Sequence, residues 1–165
     1  MTNQTVGFST FSMKTESEKR YEIKKSVLMD ALQNNLIKIT SQITIEQKWI
    51  IDGDKYTGRI RQVKTFPDVE TTYEHTVKHS FEPGVDLEIT TMLSKTDFDM
   101  LNVLYEQVPM QRKARLFIHD ESGMYDQYII TVDIPEDKPD IVWVEVESDE
   151  KISEDYKKPE WIKMD

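Results

Sequence analysis

The chain contains no cysteine, which removes disulfides, thiolate metal sites and cysteine nucleophiles together. Its three histidines, His75, His79 and His119, show no metal-ligand spacing. A metal site would have to be built from carboxylates, which suits Mg2+ or Mn2+ rather than Zn2+. No apolar run approaches the roughly 18 residues needed to span a bilayer, so no membrane partner is expected. The Thr/Ser-rich start lacks the apolar segment of a secretory signal. These absences describe a soluble protein of a reducing cytoplasm. Surplus positive charge is missing too: 21 Lys and Arg stand against 31 Asp and Glu, a net charge of −10. Extended nucleic acid is therefore disfavoured as a partner, because phosphate contacts along it need a surplus of cations.

What is present is charge of both signs, on 32% of the 165 residues, with 10% aromatic residues that argue against a disordered acidic chain. The charge is uneven. From Asp133 to Asp165 there are 12 acidic and 5 basic residues, a net of −7, which leaves the rest nearly balanced with 16 basic and 19 acidic. Residues 1–17 read as a polar N-terminal extension and residues 18–165 as a single domain.

Period-two patterning predicts strands at Lys19–Val27, Ile43–Ile51, Tyr56–Lys64, Thr71–His79, Val85–Thr91, Gln111–His119, Tyr125–Ile134 and Ile141–Ser148. Asp52-Gly53-Asp54 and Asp120-Glu121-Ser122-Gly123 read as hairpin turns, and Phe66-Pro67-Asp68 and Glu82-Pro83-Gly84 as two further turns. Two segments read as helices, Leu28–Leu36 and Lys95–Gln107, the second with Ser94 or Thr96 as N-cap and stopped by Pro109. The sum is an α+β chain of about eight mostly antiparallel strands, whose sheet could curl into a β-barrel.

The polar residues of these strands are sorted by sign. Side chains at i and i+2 share a face. Arg59 and Arg61 flank Ile60, Lys113 and Arg115 flank Ala114, Asp86 and Glu88 flank Leu87, and Glu145 and Glu147 flank Val146. Taken singly, each pair reads as a solvated sheet face. Together they suggest a barrel with a polar lumen, because like charges at this spacing want a shared counter-ion and few helices are available to cover the apolar side. A lumen holding both signs suits a metal-bound polyphosphate: arginine grips phosphate oxygens bidentately, and a divalent metal takes carboxylate oxygens. Trp143 has the parity of Glu145, so it either faces the lumen or packs near the barrel end. The segment from Asp149 to the terminus is expected to fold back as a helix or cap anchored by Pro159 and Trp161.

In that order the pattern resembles the CYTH superfamily, the triphosphate tunnel metalloenzymes, which includes class IV adenylyl cyclases, thiamine triphosphatases and inorganic triphosphatases. The family's opening ExExK strand is matched in its second Glu and its Lys by Arg20-Tyr21-Glu22-Ile23-Lys24. Ile45-Glu46-Gln47-Lys48-Trp49, Arg59-Ile60-Arg61, Thr76-Val77-Lys78 and Asp86-Leu87-Glu88-Ile89 follow in family order. Lys113-Ala114-Arg115, Val132-Asp133, Glu145-Val146-Glu147 and Pro159-Glu160-Trp161 complete it. Arg20 departs from the pattern, standing where the family has its first Glu.

The resemblance implies an eight-stranded antiparallel tunnel with flanking helices that binds a triphosphate-containing small molecule with Mg2+ or Mn2+. Arg20, Arg59, Arg61, Lys78, Lys113 and Arg115 would contact phosphate. Glu22, Glu145, Glu147, Asp86, Glu88 and Asp133 are the candidate metal ligands, and Lys24, Glu22 and Glu147 the candidate catalytic residues. The first function so implied is a metal-dependent triphosphatase acting on tripolyphosphate or a nucleoside or thiamine triphosphate. The alternatives are a nucleotide- or polyphosphate-binding protein without turnover, which Arg20 favours, and a class IV adenylyl cyclase. An outer apolar sheet face with few helices makes a homodimer reasonable.

Overall fold

The computed structural model describes residues 2–6 and 9–164, with side chains from Phe11 onward. In chain order the elements are β1 (Thr2–Val6), β2 (Ser9–Lys24), α1 (Lys25–Gln33), β3 (Ile37–Asp52), β4 (Tyr56–Phe66) and β5 (Thr71–Glu82). Then come β6 (Val85–Leu93), α2 (Lys95–Leu104), β7 (Gln111–Asp120), β8 (Ile129–Pro135) and β9 (Ile141–Ser148). The sheet runs β1-β2-β6-β5-β4-β3-β7-β8-β9, and an additional pairing of β2 with β9 closes strands β2 to β9 into an antiparallel barrel.

β2 closes it with two staggered halves. Phe11 to Glu16 pair with β6, and Ser17 to Lys24 pair with β9. Such a stagger accompanies the strand tilt that a closed barrel requires. β1 pairs along Ser9 to Met13, the stretch of β2 that precedes its pairing with β9.

Alternation sends charge inward and apolar side chains outward. Ile60 is fully buried outside the barrel, between Arg59 and Arg61 that face the lumen. The main core also lies outside the barrel. Ile23 of β2, Leu116 and Ile118 of β7, Ile130 and Val132 of β8, and Val142, Val144 and Val146 of β9 pack with Leu28 and Ala31 of α1 and with Trp161 and Ile162. The C-terminal segment thus covers this half of the barrel, pinned by Ile152 N donating to Ser17 Oγ at 3.1 Å and by the Tyr21–Tyr156 hydroxyl contact at 2.9 Å. It does so without a helix.

The other helix, α2, is capped by Ser94, whose Oγ accepts from Asp97 N at 3.0 Å. It packs on the outer face through Phe98 against Tyr73. Lys48 Nζ donates to the Asn102 and Tyr105 carbonyls at 3.3 and 3.1 Å, which places a cation at the negative end of the helix. Among the described residues no helix is long and apolar enough to cross a membrane.

The last strand has the predicted bounds, Ile141–Ser148. The first barrel strand does not: it begins at Ser9 rather than Lys19, and residues 11–17, expected in a polar extension, pair as barrel wall. Phe11 and Met13 start an outward apolar alternation there, but Thr15, Ser17 and Lys19 continue it with polar residues, so it is too short to register. α1 lies three residues earlier than expected. Asn35 takes a left-handed φ of 57° just past it, an accessible conformation for Asn. β8 starts at Ile129 instead of Tyr125, because Tyr125 and Tyr128 turn to cluster with Tyr156. α2 ends at Leu104, three residues early, with Tyr105 as its cap. The turn at Gly84 is as expected, and its φ of +81° favours glycine there.

Candidate functional site

The barrel encloses a cavity of about 1070 Å³. Nine cationic and ten acidic side chains line it, so the lumen is near neutral in sum, yet the two signs are segregated. In a closed ring of eight strands, β2 and β3 lie four strands apart in either direction. β2 and its neighbours β6 and β9 carry Glu16, Glu18, Asp86, Glu88, Glu145 and Glu147. β4 and β7, which flank β3, carry Arg59, Arg61, Lys113 and Arg115. An acidic wall therefore faces a basic one.

On the basic wall one carboxylate serves two cations. Arg115 lies directly across the β7–β8 ladder from Asp133. It grips Asp133 through Nε to Oδ1 at 2.7 Å and Nη2 to Oδ2 at 2.9 Å, while Lys113 Nζ donates to Oδ2 at 2.5 Å. Burial alone would raise the Asp133 carboxyl, but Arg115 and Lys113 outweigh it and hold it down at about 2. Lys113 gains less from the arrangement. Its burial, with Arg115 and Arg61 close by, outweighs the shared carboxylate and pushes its ammonium down to about 8.

Arg61 donates to Gln47 Oε1 from Nε at 3.0 Å and from Nη2 at 2.6 Å, and reaches Glu74 only at 3.9 Å. Burial, with Arg59 and Arg115 adjacent, pushes Arg61 down to about 9. A guanidinium keeps its proton at neutral pH regardless, so the depression reflects first a buried charge and then the like charges of Arg59 and Arg115 beside it. Arg59 is 8% exposed, its guanidinium lies 5.5 Å from the Trp49 ring centre, and its buried Nε has no hydrogen-bond partner.

The acidic wall is bridged by ammonium groups. Lys14 Nζ donates to Glu147 Oε1 at 2.8 Å and lies 3.7 Å from Glu16 Oε2 and 3.9 Å from Glu88 Oε1. Lys78 Nζ pairs with Glu16 Oε1 and lies 3.5 Å from Glu88 Oε2. The buried Glu16 carboxylate thus meets an ammonium at each oxygen, Lys78 closely at Oε1 and Lys14 more loosely at Oε2. Glu18 is pushed up to about 7 by burial and by Glu145, Glu16 and Glu147, against the pull of Lys78. Arg20 stands 3.9 Å from Glu145 Oε1, its guanidinium 4.3 Å from the Trp143 ring centre.

Eleven of the residues expected at the site line this cavity: Arg20, Arg59, Arg61, Lys78, Asp86, Glu88, Lys113, Arg115, Asp133, Glu145 and Glu147. Trp143 faces it as well. Glu22 and Lys24 do not line it. They lie on the same face of β2 but farther along, exposed, where the strand pairs with Trp143 and Ile141 and runs into α1. The opening carboxylates of the tunnel strand are instead Glu16 and Glu18, with Arg20 as the cation two residues on. Glu16, Glu18 and Arg20 thus share the lumen face at successive i, i+2 positions, a spacing of E-x-E-x-basic. In the sequence this spacing, Glu16-Ser17-Glu18-Lys19-Arg20, straddles the expected boundary between a polar extension and the domain. Lys14, Gln47, Trp49 and Glu74 also line the cavity and carried no paired-charge signal.

The acidic wall offers oxygen donors only, which suits a hard divalent cation. In the structure, however, Glu16, Glu88 and Glu147 gather around the Lys14 ammonium. Among the described residues no three acidic or histidine side chains are arranged to hold a metal ion. Asp133, expected as a metal ligand, has both oxygens engaged by Arg115 and Lys113.

No protein-family model matches the sequence, and no curated protein matches it. Solved structures do. A conserved hypothetical protein from Pyrococcus furiosus superposes with a TM-score of 0.56 at 18% identity, over 85% of this chain and 80% of that one. A Bacillus halodurans protein described as a "putative adenylate cyclase" gives 0.58 at 16% identity, over 84% and 83%. PH1819 from Pyrococcus horikoshii gives 0.57 at 16% identity, over 79% and 77%. At these identities the likeness is one of fold, and the fold it supports is a closed, CYTH-like antiparallel tunnel.

Proposed function

We propose that this chain is a metal-dependent triphosphate hydrolase, binding the polyphosphate of a small triphosphate-bearing molecule in the tunnel with Mg2+ or Mn2+. The observation that carries the reading is the opposed imbalance of the two facing walls. Four buried or half-buried cations on one wall, Arg59, Arg61, Lys113 and Arg115, share the single carboxylate Asp133, and burial, then the neighbouring guanidinium groups, depress Arg61 and Lys113 there; on the other wall burial, then Glu145, Glu16 and Glu147, raise Glu18. An anion relieves the first wall and a cation the second. A metal-bound polyphosphate is one ligand that carries both.

In this reading Arg59, Arg61, Lys113 and Arg115 contact phosphate oxygens, with Lys78 and Arg20 at the junction with the acidic wall. Asp133 orients Arg115 and Lys113 rather than binding metal. Glu16, Glu18, Glu88, Glu145 and Glu147, with Asp86, are the carboxylates available to hold the ion. The metal, when bound, neutralises phosphate oxygens and acidifies bound water. Hydrolysis joins a water oxygen to the terminal phosphorus and breaks its bond to the bridging oxygen. The bridging electron pair leaves with the diphosphate portion, and the water's proton is released. Positioning and charge stabilisation supply most of such catalysis, and the guanidinium cluster suits both. Glu22 and Lys24 have no part in it.

Binding without turnover is the second reading, and it now rests on the Lys14 ammonium among the carboxylates rather than on Arg20. The test is phosphate release from tripolyphosphate, nucleoside triphosphates and thiamine triphosphate, with Mg2+ and with Mn2+. Metal-dependent release that Arg61→Ala abolishes supports the hydrolase. Tight binding with no release supports the second reading. Cyclic nucleotide with pyrophosphate would overturn both in favour of a cyclase.

A further inference from the structure

Lys14 is a residue that the triphosphatase reading does not use, yet it lies at the centre of the acidic wall. Register puts it there: Lys14 faces Glu88 across β2–β6, and Glu88 faces Lys78 across β5–β6. The result is a cation–anion–cation ladder over three strands, with neighbouring side chains within contact reach. The Lys14 ammonium also donates to Glu147 at 2.8 Å, from the far side of β2, and stands 3.7 Å from Glu16. One flexible side chain thus gathers carboxylates from three strands, β2, β6 and β9. Its own exposure is 23%, so it is partly screened from solvent but has room to move.

We propose that Lys14 is a tethered counter-ion that competes with a divalent cation for Glu16, Glu88 and Glu147. The inference rests on the reading that these carboxylates hold the metal, and it adds what must happen for the metal to enter. An ammonium is satisfied by oxygens near 2.8 Å in loose geometry, whereas Mg2+ or Mn2+ draws oxygens in to about 2.0–2.2 Å and demands most of their charge. The two cations cannot share this position. Glu16, Glu88 and Glu147 carry three negative charges against the two positive charges of Lys14 and Lys78. A divalent ion among these three carboxylates would sit about one side-chain contact from the Lys14 ammonium, a like charge at the same position, although Glu18, Asp86 and Glu145 keep the wall as a whole net negative. Metal entry therefore expels the Lys14 ammonium, and Lys14 sets a threshold in metal concentration below which the acidic wall stays closed on itself.

Metal titration in the absence of any phosphate compound tests this, using the full chain. Calorimetry with MnCl2 compares wild type with Lys14→Met and Lys14→Arg. Lys14→Met should bind Mn2+ at least about ten-fold tighter than wild type, because a like charge at this range is removed. Lys14→Arg should stay near wild type. Equal or weaker binding by Lys14→Met overturns the proposal. If Lys14→Met does not fold, the wild-type chain decides the matter. In a Mg2+ titration the Lys14 side-chain NMR signals should move to those of a freed ammonium, saturating with the metal, and unmoved signals at metal saturation overturn it. Phosphate release judges the hydrolase reading separately, so the two can fail independently.

Discussion

The basic wall of β4 and β7 and the acidic wall of β2, β6 and β9 face each other across one cavity, but they are neutralised by different means. On the basic wall the compensating groups are rigid and fully committed. Asp133 is held by three hydrogen bonds from Arg115 and Lys113, and Gln47 by two from Arg61. On the acidic wall the compensating groups are two lysines on long stems: Lys78 pairs closely with Glu16, Lys14 holds Glu147 at 2.8 Å, and their remaining contacts lie at 3.5 to 3.9 Å. The difference suggests a division of labour. A pre-organised guanidinium wall receives an anion with little rearrangement, whereas the carboxylate wall holds a replaceable cation. Pre-organised charge of this kind favours phosphoryl chemistry because little reorganisation is needed when the ligand arrives.

Removing the commitment of the basic wall should give the largest effect. Asp133→Asn leaves Arg115 and Lys113 buried without their shared carboxylate, and should destabilise the fold by about 3–5 kcal/mol in urea unfolding. Added phosphate should recover part of the loss by binding the two unpaired cations. A variant as stable as wild type would mean that the two cations already have other partners.

Next in size is Arg59→Met. Its buried Nε has no hydrogen-bond partner in the protein, so the substitution should hardly alter stability. It should weaken tripolyphosphate by about 1.5–3 kcal/mol, the range for hydrogen bonds to charged groups. Equal affinity would remove Arg59 from the phosphate contacts.

The acidic wall should reveal itself in pH dependence. The Glu18 carboxyl is pushed up to about 7 from an unfolded value near 4.5. The folded state therefore binds the extra proton between those limits, and metal-free stability should fall as pH rises from about 4.5 to 7. The loss should be about 1–3 kcal/mol. Glu18→Gln should flatten that slope in thermal melts from pH 5 to 8. A slope that survives the substitution would assign it to other groups.

The smallest expected effect sharpens the boundary of the acidic wall. Glu22→Gln lies beyond the cavity lining and should change stability by no more than about 0.5 kcal/mol, with tripolyphosphate and Mn2+ affinities unchanged. Glu16→Gln measured alongside should alter metal binding. The reverse pattern would restore Glu22 to the site.

Much of this was legible in the sequence where apolar and charged residues alternate cleanly. Ile141–Ser148 gives both its strand and its inward Glu145 and Glu147, because Val142, Val144 and Val146 mark the outer face. Arg59 and Arg61 are read correctly for the same reason, with Ile60 between them. The middle of β2 was not legible, since the outward residues after Phe11 and Met13, namely Thr15, Ser17 and Lys19, are polar and the period-two signal lapses there. That gap displaced the carboxylate pair from Glu16 and Glu18 to residues farther along the strand. The sharing of Asp133 by Lys113 and Arg115 depends on the register of β7 against β8, and Lys14 meets Glu88 and Glu147 only because β2 changes partners along its length. Pairings of this kind are properties of the closed barrel, beyond any local pattern.

The most direct test of the opposed walls is calorimetric titration of tripolyphosphate into the chain with and without Mg2+, at an ionic strength near 0.15 M, where loose surface attraction is screened. One equivalent should bind per chain, more tightly with Mg2+ than without, and Arg61→Ala should abolish the heat signal. Binding that is not saturable, or that persists unchanged in Arg61→Ala, would contradict the account.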